Sequence, residues 1–176
     1  QLQEKRNIEN GELVLHQTFD QESNPINDLT FIDGKKTGVE LRFHENGQLK
    51  EKQNYKDGEL DGSSEEYYKN GQLNYVWNYK DGKQDGLSES YHGNGQLLKE
   101  NNWKEGKIED GLTETYYSNG QVWEKGNYKD GERDGLWETL DEEGYLTDTK
   151  EYIDGEKFDI KFSYNSNGQP KWKSYF

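Results

Sequence analysis

Polar and apolar positions along this chain recur in blocks. Runs of six or seven residues, each carrying a few large apolar side chains among polar ones, are separated by glycine turns. Neither kind of run is long enough or periodic enough for a helix, so the pattern predicts strands joined as hairpins. Asn-Gly-type turns place Gly47, Gly71, Gly95, Gly120, Gly144 and Gly168. Asp-Gly-type turns place Gly34, Gly58, Gly82, Gly106, Gly131 and Gly155. Each series steps by 24 residues, with one step of 25 where Glu109 is inserted. A fixed period of this size means stacked supersecondary units. The expected fold is therefore all-β: an elongated array of antiparallel hairpins in a single-layer twisted meander.

The units begin near Gly38, Gly62, Gly86, Gly111 and Gly135, and a half-unit from Asp159 closes the chain at Phe176. Residues 1–37 read as a degenerate cap, in which Ile8-Glu9-Asn10-Gly11 mimics one turn and Ser23-Asn24-Pro25 replaces the other. Terminal repeats are atypical because they cap the stack. All 176 residues thus form a single repeat domain. The first strand of each unit carries Phe43, Tyr67, Tyr91, Tyr116, Leu140 or Tyr164. The second opens with Leu49, Leu73, Leu97, Val122 or Leu146 and closes with Tyr55, Tyr79, Trp103, Tyr128 or Tyr152. A three-residue loop with Gly71 in a bulge sets Tyr67 opposite Leu73, whereas a two-residue turn sets Tyr68 there. The first is favoured because the Tyr67 column is uniformly large, while the next contains His44, His92 and Asp141. The expected core is one face built from Tyr67, Leu73, Tyr79, Tyr91, Leu97, Trp103, Tyr116, Val122 and Tyr128. About 12–13 strands at ~4.8 Å would span about 55–60 Å.

Composition alone points elsewhere. Leu, Ile, Val and Phe make up less than a fifth of the chain, and the net charge is −14, values that normally signal disorder. The 13 Tyr and 5 Trp argue the other way and prevail. Aromatic rings bury roughly 150–250 Å² each, and the period sets them at matching positions. The acidity argues against nucleic acid and anionic bilayers and is compatible with a basic protein partner. No apolar run approaches the ~18 residues of a membrane span. The absence of Cys removes disulfide and thiol chemistry and leaves the compartment open. A chain that starts at Gln1 and contains no Met is expected to be a processed or trimmed product.

Candidate chemistry is sparse. His44 and His92 share a column but stand four strands apart, ~19 Å, too far to hold one ion, and His16 lies in the cap. The turn Asp57-Gly58-Glu59-Leu60-Asp61 spaces oxygen ligands somewhat like the start of a calcium loop. Its counterparts place Lys83-Gln84 or Glu132-Arg133 there, so turn chemistry is the better reading. Glu65, Glu89, Glu114 and Glu138 form a ladder that could supply paired carboxylates for glycoside hydrolysis. A ladder preserved in every unit instead suggests carboxylates accepting from tyrosine hydroxyls or facing lysines. No metal, cofactor or catalytic constellation is expected. Aromatic residues outside the shared columns are better candidates: Tyr75, Trp77, Trp123, Trp137 and Trp172. Trp123 and Trp137 flank the Gly131 turn and are expected as cross-strand neighbours on the face opposite the tyrosines. They would either stiffen the sheet or anchor a partner.

Repeated Gly-x-x-x-x-Tyr-Tyr-x-Asn-Gly-Gln-Leu followed by Tyr-Lys-Asp-Gly-x-x-Asp-Gly resembles the MORN repeat, specifically its longer bacterial variant, from about Phe31 to Phe176. The resemblance implies a hairpin array that serves as scaffold or binding surface. It includes bacterial proteins labelled as YwqK-type antitoxins. The leading expectation is a non-catalytic protein-binding module, an immunity or antitoxin-type partner for a basic toxin, with Trp123, Trp137, Tyr75 and Trp77 as anchors. The alternative is an exported surface or periplasmic module that binds carbohydrate or another envelope component.

Overall fold

The computed structural model describes residues 3–10, 12–19, 25–153, 155–164 and 170–175. Within them lie seventeen strand elements and no helix. The first eight are β1 (Gln3–Glu9), β2 (Glu12–Phe19), β3 (Pro25–Ile32), β4 (Lys35–Phe43), β5 (Leu49–Lys56), β6 (Glu59–Tyr67), β7 (Leu73–Lys80) and β8 (Lys83–Gln84). They continue as β9 (Gly86–Tyr91), β10 (Leu97–Lys104), β11 (Lys107–Ile108), β12 (Gly111–Tyr116), β13 (Val122–Lys129), β14 (Glu132–Leu140), β15 (Leu146–Ile153), β16 (Glu156–Tyr164) and β17 (Pro170–Tyr175). Every pairing is antiparallel and joins neighbours in sequence, so the sheet is one open meander. The short β8 and β11 are the first segments of the strands that resume as β9 and β12. The array is wider than the 12–13 strands expected, because the irregular segment before Gly38 also forms strands β1 to β3. Gln1, Gly11, Ser23, Asn24, Gly168 and Phe176 lie outside the described residues, as do the side chains of Asp159, Tyr164 and Trp172.

Two turn types set the period. Asp57 and Gly58 both take positive φ (52° and 88°) between the paired Lys56 and Glu59. This is a two-residue turn whose twist matches that of its strands. Gly71 takes φ 83° in a three-residue loop closed by the Tyr68 amide donating to the Gln72 carbonyl at 2.8 Å. That loop sets Tyr67 opposite Leu73, the register favoured on sequence grounds.

A second irregularity follows at once. Glu66 pairs with Tyr75, leaving Asn74 as an extra residue in its strand. Lys50, Leu98, Trp123 and Thr147 are the extra residues of the other units. Such a bulge reverses the faces of all that follows. The expected single aromatic stripe is therefore corrected. Tyr67, Tyr91 and Tyr116 share one face with Leu73, Leu97 and Val122, while Tyr79, Trp103 and Tyr128 lie on the other.

The Tyr79 side is the better covered. The buried side chains of Leu29, Ser64, Ser88, Thr113, Thr115 and Trp137 all belong to it by register. The other side leaves Phe43, Leu87, Leu112, Leu136 and Leu146 exposed. With no second layer, a side chain is covered only by its cross-strand neighbours, so sizes must complement. Trp77 faces Ser64, and the Trp103 indole donates to Ser88 Oγ at 2.7 Å.

Trp137 is the tightest case, at 2% exposed. Its indole lies over Gly126, meets Tyr128 and Tyr152 edge-on at 5.4 and 6.0 Å, and carries the Arg133 guanidinium 3.8 Å above it. Arg133 is held in place by two contacts to Glu124, at 2.8 and 3.1 Å. Trp137 thus lies opposite the face of Tyr116 and Leu140, as its parity implies, but that face carries Tyr128 and Tyr152 and is the covered one. A Cβ on Gly126 would overlap the indole. Gly126→Ala should therefore cost about 1–3 kcal/mol by overpacking, and Trp137→Ala about 3–5 kcal/mol by truncation. Urea denaturation of both variants checks this, with Gly93→Ala, at a glycine surrounded by open space, as comparison.

Candidate functional site

The repeats are tied to one another along both rows of turns. On the Asn-Gly side, Asn46, Asn70 and Asn94 donate to the carbonyls of Lys69, Gly93 and Ser118, each at 2.9 Å. One residue column inward, Tyr68 and Tyr117 hydroxyls donate to the Tyr91 and Leu140 carbonyls at 2.7 and 2.9 Å. His44 and His92 stand in that column and reach the Tyr67 and Tyr116 carbonyls at 2.8 Å through Nε2. A carbonyl only accepts, so Nε2 is the protonated nitrogen in both. These histidines do structural work in place of tyrosine. On the other side, the Gly58, Gly82 and Gly106 amides donate to carbonyls of the preceding unit at 2.8–2.9 Å. The Asp61, Asp85 and Asp110 carboxylates accept the amides of Asp81, Glu105 and Asp130. Those acidic turns therefore use their carboxylates as caps on the next hairpin.

On the open face, one row of side chains crosses the sheet from strand to strand. It runs Leu41, Lys52, Glu65, Val76, Glu89, Glu100, then Glu114, Lys125, Glu138 and Thr149. Its ends are compensated. Lys52 pairs with Glu65 at 3.2 Å and Lys125 with Glu138 at 3.0 Å. Tyrosine hydroxyls add to this, as expected for a structural ladder: Tyr67 donates to Glu65, and Tyr116 to Glu114 at 2.8 Å. The middle differs. Glu89 lies directly opposite Glu100, and the pairing of Lys99 with Thr115 brings Glu114 in next. Among the described residues, none of these three carboxylates has a lysine or arginine ion partner.

The same region holds the weakest seam of the sheet. Strand β10 pairs with β12 only at Lys99 and Thr115. Glu109, the extra residue of the 25-residue step, donates its amide to the Asn102 carbonyl at 2.8 Å, and the ladder does not resume until Thr115. The resulting cleft of about 200 Å³ is lined by Leu87, Glu100, Glu109, Asp110, Leu112 and Glu114 among others.

The aromatic candidates separate. Trp123 is a bulge residue, 43% exposed, 6.3 Å from the Tyr117 ring. It is not a cross-strand neighbour of Trp137, because Glu124 pairs with Thr139 and Gly126 is the residue under the indole. Tyr75 and Trp77 stack at 4.8 Å and 7° on the covered face, where with Trp103 they frame a pocket of about 170 Å³. Glu100 was missed in the sequence because its column otherwise holds Lys52, Val76, Lys125 and Thr149. Only the bulged register reveals that it joins the glutamate ladder.

The MORN repeat variant model matches residues 36–57, 60–81, 84–105 and 109–130, together half of the chain. The chain belongs to the MORN repeat variant family, whose repeats are generally non-catalytic interaction modules. The curated proteins contain no match to it. A solved structure of alternansucrase in complex with isomaltononaose is similar at 14% identity and a TM-score of 0.16. The match covers 96% of this chain but only 16% of that one, and a likeness so weak carries no argument.

The tyrosine–glutamate pairs make stability depend on pH. Burial and then the hydrogen bond to Glu65 push the Tyr67 hydroxyl up to about 12. For Tyr116 the hydrogen bond to Glu114 comes first, then burial, again to about 12. Burial also pushes the Glu65 carboxyl up, but hydrogen bonds from Tyr67, Lys52 and Ser63 outweigh it and hold it below the ordinary 4.5. A proton held more tightly in the fold stabilises it below the unfolded value and is lost above. The tyrosine contribution should thus be complete below pH 10.0 and vanish as pH rises to about 12. The Glu65 contribution should fade as pH falls below 4.5. Urea midpoints measured across the alkaline window check this, and the Tyr67→Phe/Tyr116→Phe double variant should lose much of the alkaline slope.

Proposed function

We propose that this chain is a docking module for a basic protein partner, of the immunity or antitoxin kind in which the partner is a toxin. The observation that carries the reading is its charge: 36 acidic against 22 basic residues, −14 overall, fixed on a sheet whose turns are bonded unit to unit. An acidic surface of this kind accelerates encounter with a cationic protein, and salt weakens the attraction. Membership of a family of interaction modules supports it. Trp123 is the aromatic anchor that fits, being exposed beside Tyr117. Trp137 is no part of this surface. Immobilised chain should retain a basic protein from lysate of the native organism and release it as salt rises. Trp123→Ala should weaken that partner's binding about tenfold, ~1.4 kcal/mol. A partner that is not basic, or retention indifferent to salt, overturns the reading.

One observation favours a second reading. The stacked Tyr75 and Trp77, with Trp103, stand in a pocket that also offers Ser90, Lys99 and Asn101 as hydrogen-bonding groups. Apolar rings beside polar groups suit a sugar ring, which would make the chain a carbohydrate-binding module of a cell surface. Titration with a glycan panel decides it: saturable binding abolished by Trp77→Ala supports this reading, and no binding removes it.

A further inference from the structure

The open face breaks a local rule at its centre. Like charges directly opposite one another on a sheet are destabilising, yet Glu89 faces Glu100 and Glu114 follows in the next strand. Lys125 opposite Glu114 is ion-paired to Glu138 instead, so that among the described residues none of the three is ion-paired. The register sets Glu100 of β10 between Glu89 of β9 and Glu114 of β12. Beside this row runs a second. Leu87, Leu112 and Leu136 sit two residues before Glu89, Glu114 and Glu138 in their strands and point to the same side. They are 39%, 66% and 41% exposed. Asn102 and Asn127 stand between them in the intervening strands. The seam cleft joins the rows, since Leu87, Leu112, Glu100 and Glu114 all line it. Exposed leucines beside carboxylates that lack ion pairs, as at Leu87 and Leu112, cost stability and solubility together, and such local inconsistencies concentrate at functional sites.

We propose that these two rows form the docking surface for a basic amphipathic helix of a partner protein, laid across the strands. The spacing selects a helix. Consecutive carboxylates are about 4.8 Å apart and consecutive leucines about 9.6 Å, one and two strand spacings. Along a helix, side chains three or four residues apart are about 5–6 Å from one another, and two turns rise about 10.8 Å. Lysines or arginines on successive turns therefore meet Glu89, Glu100 and Glu114. Apolar side chains on the adjoining stripe meet Leu87, Leu112 and Leu136. The rows are about 6.8 Å apart, two residues along a strand, within the width of one helix, about 10–12 Å. The proposal rests on the reading of a basic protein partner but is independent of Trp123.

The probe is a labelled synthetic helix of alternating lysine and leucine stripes, titrated against the full chain by fluorescence anisotropy at low and physiological salt. Glu89→Gln/Glu100→Gln/Glu114→Gln and Leu87→Ser/Leu112→Ser/Leu136→Ser should each weaken binding about tenfold or more. The control Glu45→Gln/Glu142→Gln/Glu143→Gln removes equal charge at exposed turns and should change it less than about twofold. A scrambled peptide of the same composition should bind more weakly than the helix. The glutamine triple should also raise the thermal midpoint, because the repulsion is relieved. Amide shift mapping in the unsubstituted chain, centred on 87–89, 100–102 and 112–114, gives the same answer should a variant unfold. Equal losses in the site and control variants, shifts elsewhere, or absence of peptide binding overturn the surface. Those outcomes leave the basic-partner reading standing, because salt-dependent capture of the native partner judges it separately.

Discussion

A sheet one layer thick has nothing to cover its faces except the side chains of adjacent strands. That constraint explains why most of the large aromatic residues are only half-buried and why, Trp137 and Leu29 apart, the buried positions are small. Ser64 and Ser88 make room for Trp77 and Trp103, and Gly126 makes room for Trp137. It also explains the hydroxyl-rich composition. In a half-wet interior a tyrosine can cover area with its ring and still satisfy its hydroxyl, as Tyr67, Tyr68, Tyr116 and Tyr117 do.

Because side-chain burial is limited, backbone and turn hydrogen bonds carry more of the order than in a two-layer fold. The Asn, Asp and Gly of each turn have two tasks. They set the hairpin geometry, and they bond to the corresponding turn one unit away. Stability in such an array is close to a sum of repeat and neighbour terms, so one irregular unit is tolerated. The Glu109 insertion opens the ladder between β10 and β12 while the sheet continues on both sides. Glu89, Glu100 and Glu114, none of them ion-paired among the described residues, gather at this seam.

Much of this was legible in the residues. The glycine series determined the period, the hairpins and the all-β class, because positive φ at regular intervals leaves the chain few other courses. The uniformly large Tyr67 column determined the first loop and its register, and the family resemblance lay in the same residues. The glutamate ladder was legible too, since a column preserved through Glu65, Glu89, Glu114 and Glu138 reads as structure.

What the sequence could not decide was which face each side chain occupies beyond the second bulge. Asn74, Trp123 and their equivalents carry no glycine and no shared residue type, so nothing marks them as extra. A one-residue offset in a strand reverses every following position. That offset moved Tyr79, Trp103 and Tyr128 to the opposite face, buried Trp137 and left Trp123 at the surface. It also set Glu100 beside Glu89. Period and fold class follow from local backbone preference and were fixed by the chain alone. The faces depend on where neighbouring strands slip by a residue, and that is a property of their pairing in three dimensions.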